Sequence, residues 1–239
     1  MFRRIFPGHD PNYKSFFSPA VLKRNNLILL TCLIILILFL PAISIDGMHL
    51  FVDIILSLII IAGVSSLEFN KKTMNILSYF GAISLLLIWI NNILGGDIIK
   101  MITNVTLVCF IIYITLRMII HIAKSRKVTS VIILNAINSY LLMGLIGSYL
   151  FAITELVNHN LLGYSTNAIK FAVGSGTDFH DFIYFSLVTM TTLGYGDITP
   201  VSSLAKSMTI LVSISGQLYL TILVATLVGK LLSNPDSKK

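Results

Sequence analysis

Residues 181–200 read DFIYFSLVTMTTLGYGDITP, and this stretch decides the fold. It begins with a helical pattern too short to cross a membrane, runs into the hexapeptide TLGYGD at 192–197, and lies between two long apolar runs. An ordinary strand alternates its carbonyls, so aiming successive carbonyls to one side requires residues that accept a positive φ. Gly194 and Gly196 supply that freedom at alternate positions. The hexapeptide therefore predicts a backbone whose carbonyl oxygens face one way.

A row of carbonyl oxygens can replace the water shell of a cation, and rings of such oxygens from several chains select potassium. In this interpretation the carbonyls of Thr192, Leu193, Gly194 and Tyr195 coordinate K+, and Thr192 adds its hydroxyl at the cavity end. We expect Tyr195 to wedge outward against surrounding helices, with Asp197 at the outer mouth. Because one chain supplies only part of each ring, a homotetramer is predicted. The alternative is a glycine-containing loop that matches by chance.

The segment resembles the pore loop of the tetrameric potassium channels, which usually carry TVGYG where this chain has TLGYG at 192–196. The resemblance implies a selectivity filter made of Thr192, Leu193, Gly194, Tyr195 and Gly196, with the Leu193 side chain behind it. Tyr184 stands thirteen residues before Asp197, where the family often has an aromatic donor bonded to this aspartate. Thr191 is expected to support the filter at the carboxyl end of the pore helix, whose dipole favours a cation.

Composition predicts an all-α membrane protein. Hydrophobic residues make up 56% of the 239 and charged residues only 11%, a balance that a soluble domain could not keep in solution. Six stretches are long and apolar enough to span a bilayer as helices. They are Leu27–Ile45, Leu50–Leu67, Met74–Leu94, Ile98–Ile122, Val128–Val157 and Ser203–Leu232. The segment 181–192 fits a re-entrant pore helix buried in protein.

The basic residues predict an orientation. With both termini in the cytoplasm, all lysines and arginines except Lys100, Lys170 and Lys206 fall on the inner side, as cytoplasmic loops require. This predicts a multi-pass protein of the cell membrane. The net charge of +7 is interpreted as contact with anionic membrane lipids rather than with nucleic acid. An alternative for the first span is a cleaved signal peptide processed near 41–44, which would leave the orientation of the rest unchanged.

The chain divides into a leader (1–26, cytoplasmic or interfacial), a four-helix block that resembles a voltage sensor (27–122), a pore domain (123–232) and a short cytoplasmic tail (233–239). The basic stretch 121–127 joins the two blocks, either as a helix along the inner membrane surface or as a positively charged loop. The fourth helix carries Lys100 near its outer end and Arg117 near its inner end, with no charge between them. Weak or absent voltage gating is therefore expected.

The last span contains the candidate cavity and gate. Gly216 lies twenty residues after Gly196, where the family has an inner-helix hinge, although a glycine there can also serve close packing. The positions that follow on one helical face are Gln217, Leu220, Val224 and Val228. We expect this face to line the cavity and to narrow to an apolar constriction near Val228 that gates by dewetting. A lipid-facing stripe would show the same pattern.

These features predict a potassium-selective channel subunit with no enzymatic activity and no cofactor other than the permeating K+. The sequence offers no nucleophile with a partner base, zinc cluster or phosphate-binding glycine loop. Three alternatives remain: a non-selective cation channel, a component of a potassium transporter, and a silent subunit of another channel. The transporter class carries four pore loops in one polypeptide, and this chain has one. His159 and His180 could sense external pH or metals, or be merely solvated.

Overall fold

The computed structural model describes residues 18–39, 49–67, 71–125, 127–160, 166–171 and 179–232. In these ranges the chain is helical apart from short turns and one two-residue strand pair. The elements are α1 (Pro19–Phe39), α2 (His49–Ser65), α3 (Lys71–Leu94), α4 (Asp97–Lys124), α5 (Ser130–Asn160), β1 (Ile169–Lys170), α6 (Phe179–Met190), β2 (Thr199–Pro200) and α7 (Ser203–Leu232). Helices satisfy their own backbone polar groups, which a lipid environment requires.

Five of these helices are long and apolar enough to cross a membrane, namely α1, α3, α4, α5 and α7. Helix α2 is also apolar but has 17 residues in the described range. The predicted class, an all-α membrane protein, is confirmed. The short segment α6 between α5 and α7 spans nothing and runs from Phe179 to Met190, beginning and ending two residues before the predicted pore helix.

Helix α1 begins eight residues before the predicted first span, so it crosses the expected boundary between leader and four-helix block. Proline is tolerated in a first helical turn, where its missing N–H has no partner to lose. The polar residues that follow are held by tertiary contacts. The Asn25 side-chain amide donates to the carbonyl of Ser65 at 2.9 Å, and that of Asn26 donates to the carbonyl of Ser66 at 2.7 Å. The predicted end of this span at Ile45 lies outside the described residues.

Helix α5 is the centre of the fold, since α1 and α4 pack on it from one block and α6 and α7 from the other. The core of the four-helix block is built from apolar side chains of α1 to α5, including Leu33, Ile59, Leu77, Phe110, Ile114 and Leu142. A second core joins α5, β1, α6 and α7 through Phe151, Ile169, Phe182, Phe185 and Val212. The Asn138 amide of α5 donates to the backbone carbonyl of Asn26 at 3.0 Å and ties α1 to this centre.

Two glycines of α5 let the short helix α6 approach closely. A Cβ at Gly144 would lie 2.5 Å from the Leu187 Cδ2 atom, and one at Gly147 would lie 2.2 Å from the Ser186 Oγ atom. The Ser186 hydroxyl donates to the Gly144 carbonyl at 2.6 Å. Because α6 is seated this tightly, its carboxyl end has a fixed position relative to α5.

The junction between the blocks is short. Helix α4 continues to Lys124 and α5 begins at Ser130, so residues 121–124 form the last turn of α4 and not a separate surface helix. Arg126 lies outside the described residues. Helices α4 and α5 of the same chain pack against each other beyond this link. The four-helix block therefore packs directly against α5 of the same chain.

Candidate functional site: the loop after α6

The carboxyl end of α6 is closed by a two-bond cap. The Leu193 N–H donates to the Val188 carbonyl and the Thr192 N–H to the Thr189 carbonyl, both at 3.0 Å. These two bonds define a Schellman motif, whose capping residue adopts the left-handed conformation and is usually glycine. Here that residue is Thr192, with φ 60°. Its side chain makes this conformation unfavourable by about 1–2 kcal/mol relative to a right-handed one.

Left-handed residues alternate along the loop. Thr192, Gly194 and Gly196 have φ of 60°, 55° and 83°, whereas the residues between them do not have positive φ. A chain with successive carbonyls on one side requires residues of positive φ at intervals, and this alternation meets that requirement. The positive φ of the two glycines follows from the sequence, but that of Thr192 was not predicted. Its place at the cap of a predicted helix was the available signal.

The threonines at the start of the loop have different partners. The Thr191 hydroxyl donates to the Leu187 carbonyl at 2.7 Å, which satisfies a carbonyl of the last helical turn. The Thr192 hydroxyl donates to the Thr191 carbonyl at 2.7 Å. Its service as an ion ligand stays a prediction.

The loop is uncovered in a single chain. The side chains of Leu193 and Tyr195 are 56% and 68% exposed. Tyr195 therefore does not find the surrounding helices expected for it within its own chain. A groove of about 500 Å³ runs beside the loop between α6 and α7, lined by residues that include Val188, Thr192, Ile210 and Ile214. Adjacent apolar surfaces of this kind are typical of a site that other chains complete.

The end of the loop at Asp197 is hydrogen-bonded to α6. The Tyr184 hydroxyl donates to Asp197 Oδ2 at 2.7 Å, and Asp197 Oδ1 accepts the N–H of Ile198 at 3.0 Å. The hydrogen bond from Tyr184 lowers the pKa of Asp197 below its ordinary value. The carboxylate is therefore charged at neutral pH and marks this end of the loop with negative charge.

A second restraint acts through the β1–β2 pair on the chain that follows the loop. Glu155 of α5 is only 5% exposed, and its carboxylate accepts the N–H of Ala168 at 3.0 Å and of Ile169 at 3.3 Å. Strand β1 pairs with β2 in antiparallel register, with Ile169 opposite Pro200. This role of Glu155 was not predicted from the sequence. An acid inside a predicted span was the available signal, because a buried carboxylate needs donors.

Helix α7 crosses directly below the loop. Gly216 is buried, and a Cβ there would lie 2.2 Å from the Met190 Cγ and 2.6 Å from the Met190 carbonyl oxygen. The Gln217 side chain reaches the same carbonyl at 3.5 Å. Gly216 thus serves a close crossing of α6 and α7. A hinge at this glycine stays a prediction.

The predicted cavity face of α7 is largely uncovered in one chain. Val224 and Val228 are exposed and Leu220 is half-buried. A neighbouring face, with Tyr219 and Leu223, packs on α5 instead, where the Tyr219 hydroxyl approaches Ser139 Oγ at 2.6 Å. Val224 and Val228 are therefore uncovered in one chain, and their lining of a pore stays a prediction.

Among the described residues no cluster of three or more His, Cys, Asp or Glu side chains has the arrangement of a metal site. The cation ligands predicted from the sequence are the backbone carbonyls of the loop. Such neutral oxygens suit an alkali cation that must bind weakly enough to leave again.

Comparison with known proteins supports a channel. Residues 139–233 match a family described as "Ion channel". The chain is 44% identical over 62 residues to "Two-pore potassium channel 4" of Arabidopsis thaliana, covering 25% of this chain and 22% of that protein. It is 32% identical over 102 residues to "Calcium-gated potassium channel TvoK" of Thermoplasma volcanium, covering 43% and 26% respectively. No solved structure matches significantly.

These matches span about a quarter of the length of either relative. The family match at 139–233 covers most of α5 together with α6, the loop and α7. This part matches an ion channel family, and the chain is similar to potassium channels over part of its length.

Proposed function

We propose that this chain is one subunit of a homotetrameric, potassium-selective channel that conducts K+ passively through the TLGYG filter at 192–196. The observation that carries the proposal is the alternation of left-handed residues at Thr192, Gly194 and Gly196. It occurs in a segment that matches an ion channel family. Four such strands around an axis would stack rings of carbonyls that replace the hydration shell of K+.

The exposed apolar surface of the single chain supports the assembly. Leu193, Tyr195 and the groove between α6 and α7 are open to solvent in one copy, and a closed ring of four would bring copies together there. Outward-facing apolar side chains of α2 and α3, among them Ile61, Ile83 and Leu86, are surface for membrane lipids. The restraints from Tyr184 and Glu155 hold the filter from outside.

The charges of the described residues support an orientation. The acids Asp97, Glu155, Asp181 and Asp197 belong to the end of the bundle that carries the filter loop. The basic residues Arg117, Lys124, Lys127 and Lys230 belong to the opposite end. By the positive-inside rule that opposite end is cytoplasmic. Both termini then lie in the cytoplasm, with the filter near the outer face of the cell membrane.

Ion flux from the purified chain in liposomes tests the proposal. We expect K+ efflux from the wild type and its loss in Gly196→Ala, because alanine is strained at φ 83°. Gly229→Ala is the matched control, since a Cβ there meets nothing within 4 Å. Absence of flux from the wild type contradicts the proposal and favours a silent subunit. Equal K+ and Na+ flux favours a non-selective channel.

A further inference from the structure

The last turn of α4, residues 121–124, is fastened to the end of α7 that lies away from the filter. The Lys230 ammonium of α7 donates to the backbone carbonyls of Ile122 and Ala123, the latter at 3.0 Å. The final carbonyls of a helix lack intrahelical partners and carry the negative end of its dipole. Lys230 therefore supplies both hydrogen bonds and charge to the end of α4.

Apolar contacts reinforce this attachment. The Ile122 side chain is 3% exposed and packs with Ile132 and Ala136 of α5 and with Leu223 and Leu227 of α7. The same turn of α4 thus touches both helices of the pore-forming block. A movement of this turn cannot leave the end of α7 in place unless these contacts are broken.

A titratable group lies in the same turn. The His121 Nδ1 atom is 2.9 Å from the Asn135 side-chain nitrogen of α5. In this orientation of the amide, Nδ1 accepts the Asn135 N–H, as a neutral imidazole can. The Asn135 Oδ1 atom is buried and makes no hydrogen bond within the described part of the chain. An imidazolium carries hydrogen on both nitrogens, so protonation would oblige the amide to rotate and present Oδ1 instead.

The charged residues described at this end of the bundle are basic, and the acid Glu68 lies outside the described residues. Helix α4 contributes Arg117 and Lys124, the link to α5 contributes Lys127, and α7 contributes Lys230. Helix α5 brings no charged residue to this end between Ser130 and Asn135. Arg126 and the side chains of Lys71 and Lys72 lie outside the described residues. A proton on His121 adds positive charge to the turn that holds the Lys230 ammonium.

We propose that Lys230 and the last turn of α4 form a clasp that holds the filter-distal end of α7, and that protonation of His121 loosens this clasp. The pore is then regulated by pH on the filter-distal side of the membrane. This inference rests on the proposed channel function. In this proposal the four-helix block acts on the pore through the contact between α4 and α7. The protonated group, His121, lies on the helix that lacks the arginines of a voltage sensor.

Channel recordings with pH varied on each side test the regulation. Acidifying the filter-distal side from about pH 8 to about pH 5.5 crosses the ordinary histidine pKa of about 6.5. We expect the open probability to change about two- to fivefold, the size expected for one cation at a helix terminus. The response should disappear in His121→Gln, which keeps a side-chain acceptor but does not titrate.

Lys230→Met supplies the coupled test. We expect this variant to shift the open probability at neutral pH in the same direction as acid does in the wild type. Acid should then cause little further change. Lys206→Met, at the filter end of the same helix, is the matched control and should retain the wild-type response. A full acid response in Lys230→Met or in His121→Gln overturns the proposal, as does a wild type that ignores filter-distal pH.

A distance measurement separates this proposal from the channel function itself. Spin labels at Ala123 and Leu231, both exposed, report the separation of the two helix ends in one labelled subunit diluted among unlabelled ones. Acid should lengthen this distance in the wild type and leave it unchanged with His121→Gln. A distance insensitive to pH refutes the clasp even if K+ flux is present. A sensitive distance supports it even if flux is absent.

Discussion

At the scale of single residues, Thr192 occupies a position with two structural roles. It is the left-handed cap of α6 and also the first of three alternating left-handed residues in the loop. Because the end of the helix and the start of the loop share one residue, the direction of the first carbonyl is fixed by how the helix ends. Packing of Ser186 and Leu187 on α5 then fixes the helix itself.

The bond between Tyr184 and Asp197 leads to a prediction about outer pH. This hydrogen bond lowers the pKa of Asp197. Any stability that the bond gives the loop is therefore fully present above the ordinary carboxyl pKa. It is lost as the pH falls through the lowered pKa of Asp197. Tyr184→Phe should raise the pH at which acid on the filter side reduces the K+ current. Tyr184→Trp, which restores a donor, should move it back.

Recordings at graded filter-side pH check this prediction. Asp197→Asn is the control that should remove the carboxylate titration altogether. An unchanged midpoint in Tyr184→Phe would show that the 2.7 Å bond has no part in setting the charge at the outer mouth.

The roles of some site residues can be predicted from the sequence, and those of others cannot. Glycine at 194 and 196 indicates a positive φ at both positions. The spacing of Tyr184 from Asp197 fits the aromatic donor that the tetrameric potassium channels often have there. The capping role of Thr192 and the contacts of Glu155 cannot be predicted in this way, because they depend on the three-dimensional structure and not on local periodicity. The first is decided by how α6 is capped, and the second by backbone N–H groups more than ten residues away.

At the scale of elements, the crossing of α6 and α7 depends on Gly216. An alanine Cβ at this position would overlap both the side chain and the backbone of Met190. We expect Gly216→Ala to destabilise the folded protein by about 1–3 kcal/mol, as overpacking does, and to impair assembly. Gly229→Ala on the same helix has free space and should change little.

Thermal unfolding in detergent together with native mass measures this effect. If Gly216→Ala unfolds at the wild-type temperature and assembles normally, the close crossing is not a constraint in the assembled protein. The hinge interpretation would then become the stronger account of the glycine.

Helix α4 leads to a prediction about voltage. Between Lys100 and Arg117 it carries no charged residue, and its other basic residues lie in its last turn. One elementary charge crossing the full field contributes about 2.3 kcal/mol per 100 mV, and steep gating needs several per subunit. We expect the open probability to change only shallowly over a wide voltage range. Steep activation in tail currents would show that the last turn moves through the field.

Element boundaries were predictable where apolar periodicity decides them, as in α7, which runs from Ser203 to Leu232 as expected. They were not where polar residues enter a helix through tertiary contacts. Asn25 and Asn26 belong to α1 because carbonyls at the end of α2 accept their amides. Residues 121–124 of the basic stretch 121–127 likewise belong to α4, although their composition alone also fits a surface loop.

At the scale of the whole molecule, a single chain exposes apolar surface in two places. The four-helix block and α5 share a buried core, but α2 and α3 also expose apolar side chains such as Ile61 and Leu86, and the loop at 192–196 and much of α7 remain uncovered. In the proposed ring the first surface faces lipid and the second faces the other subunits. Sequence could predict the ring from the single pore loop, but it could not show that α4 would contact its own α7.

The most direct test of the central claim is the reversal potential of the purified, reconstituted chain with K+ on one side and Na+ on the other. The account predicts a potential close to that of the K+ gradient, and a loss of this preference in Tyr195→Asp, whose side chain cannot brace the ring. A permeability ratio near one in the wild type, or full selectivity in Tyr195→Asp, would contradict it.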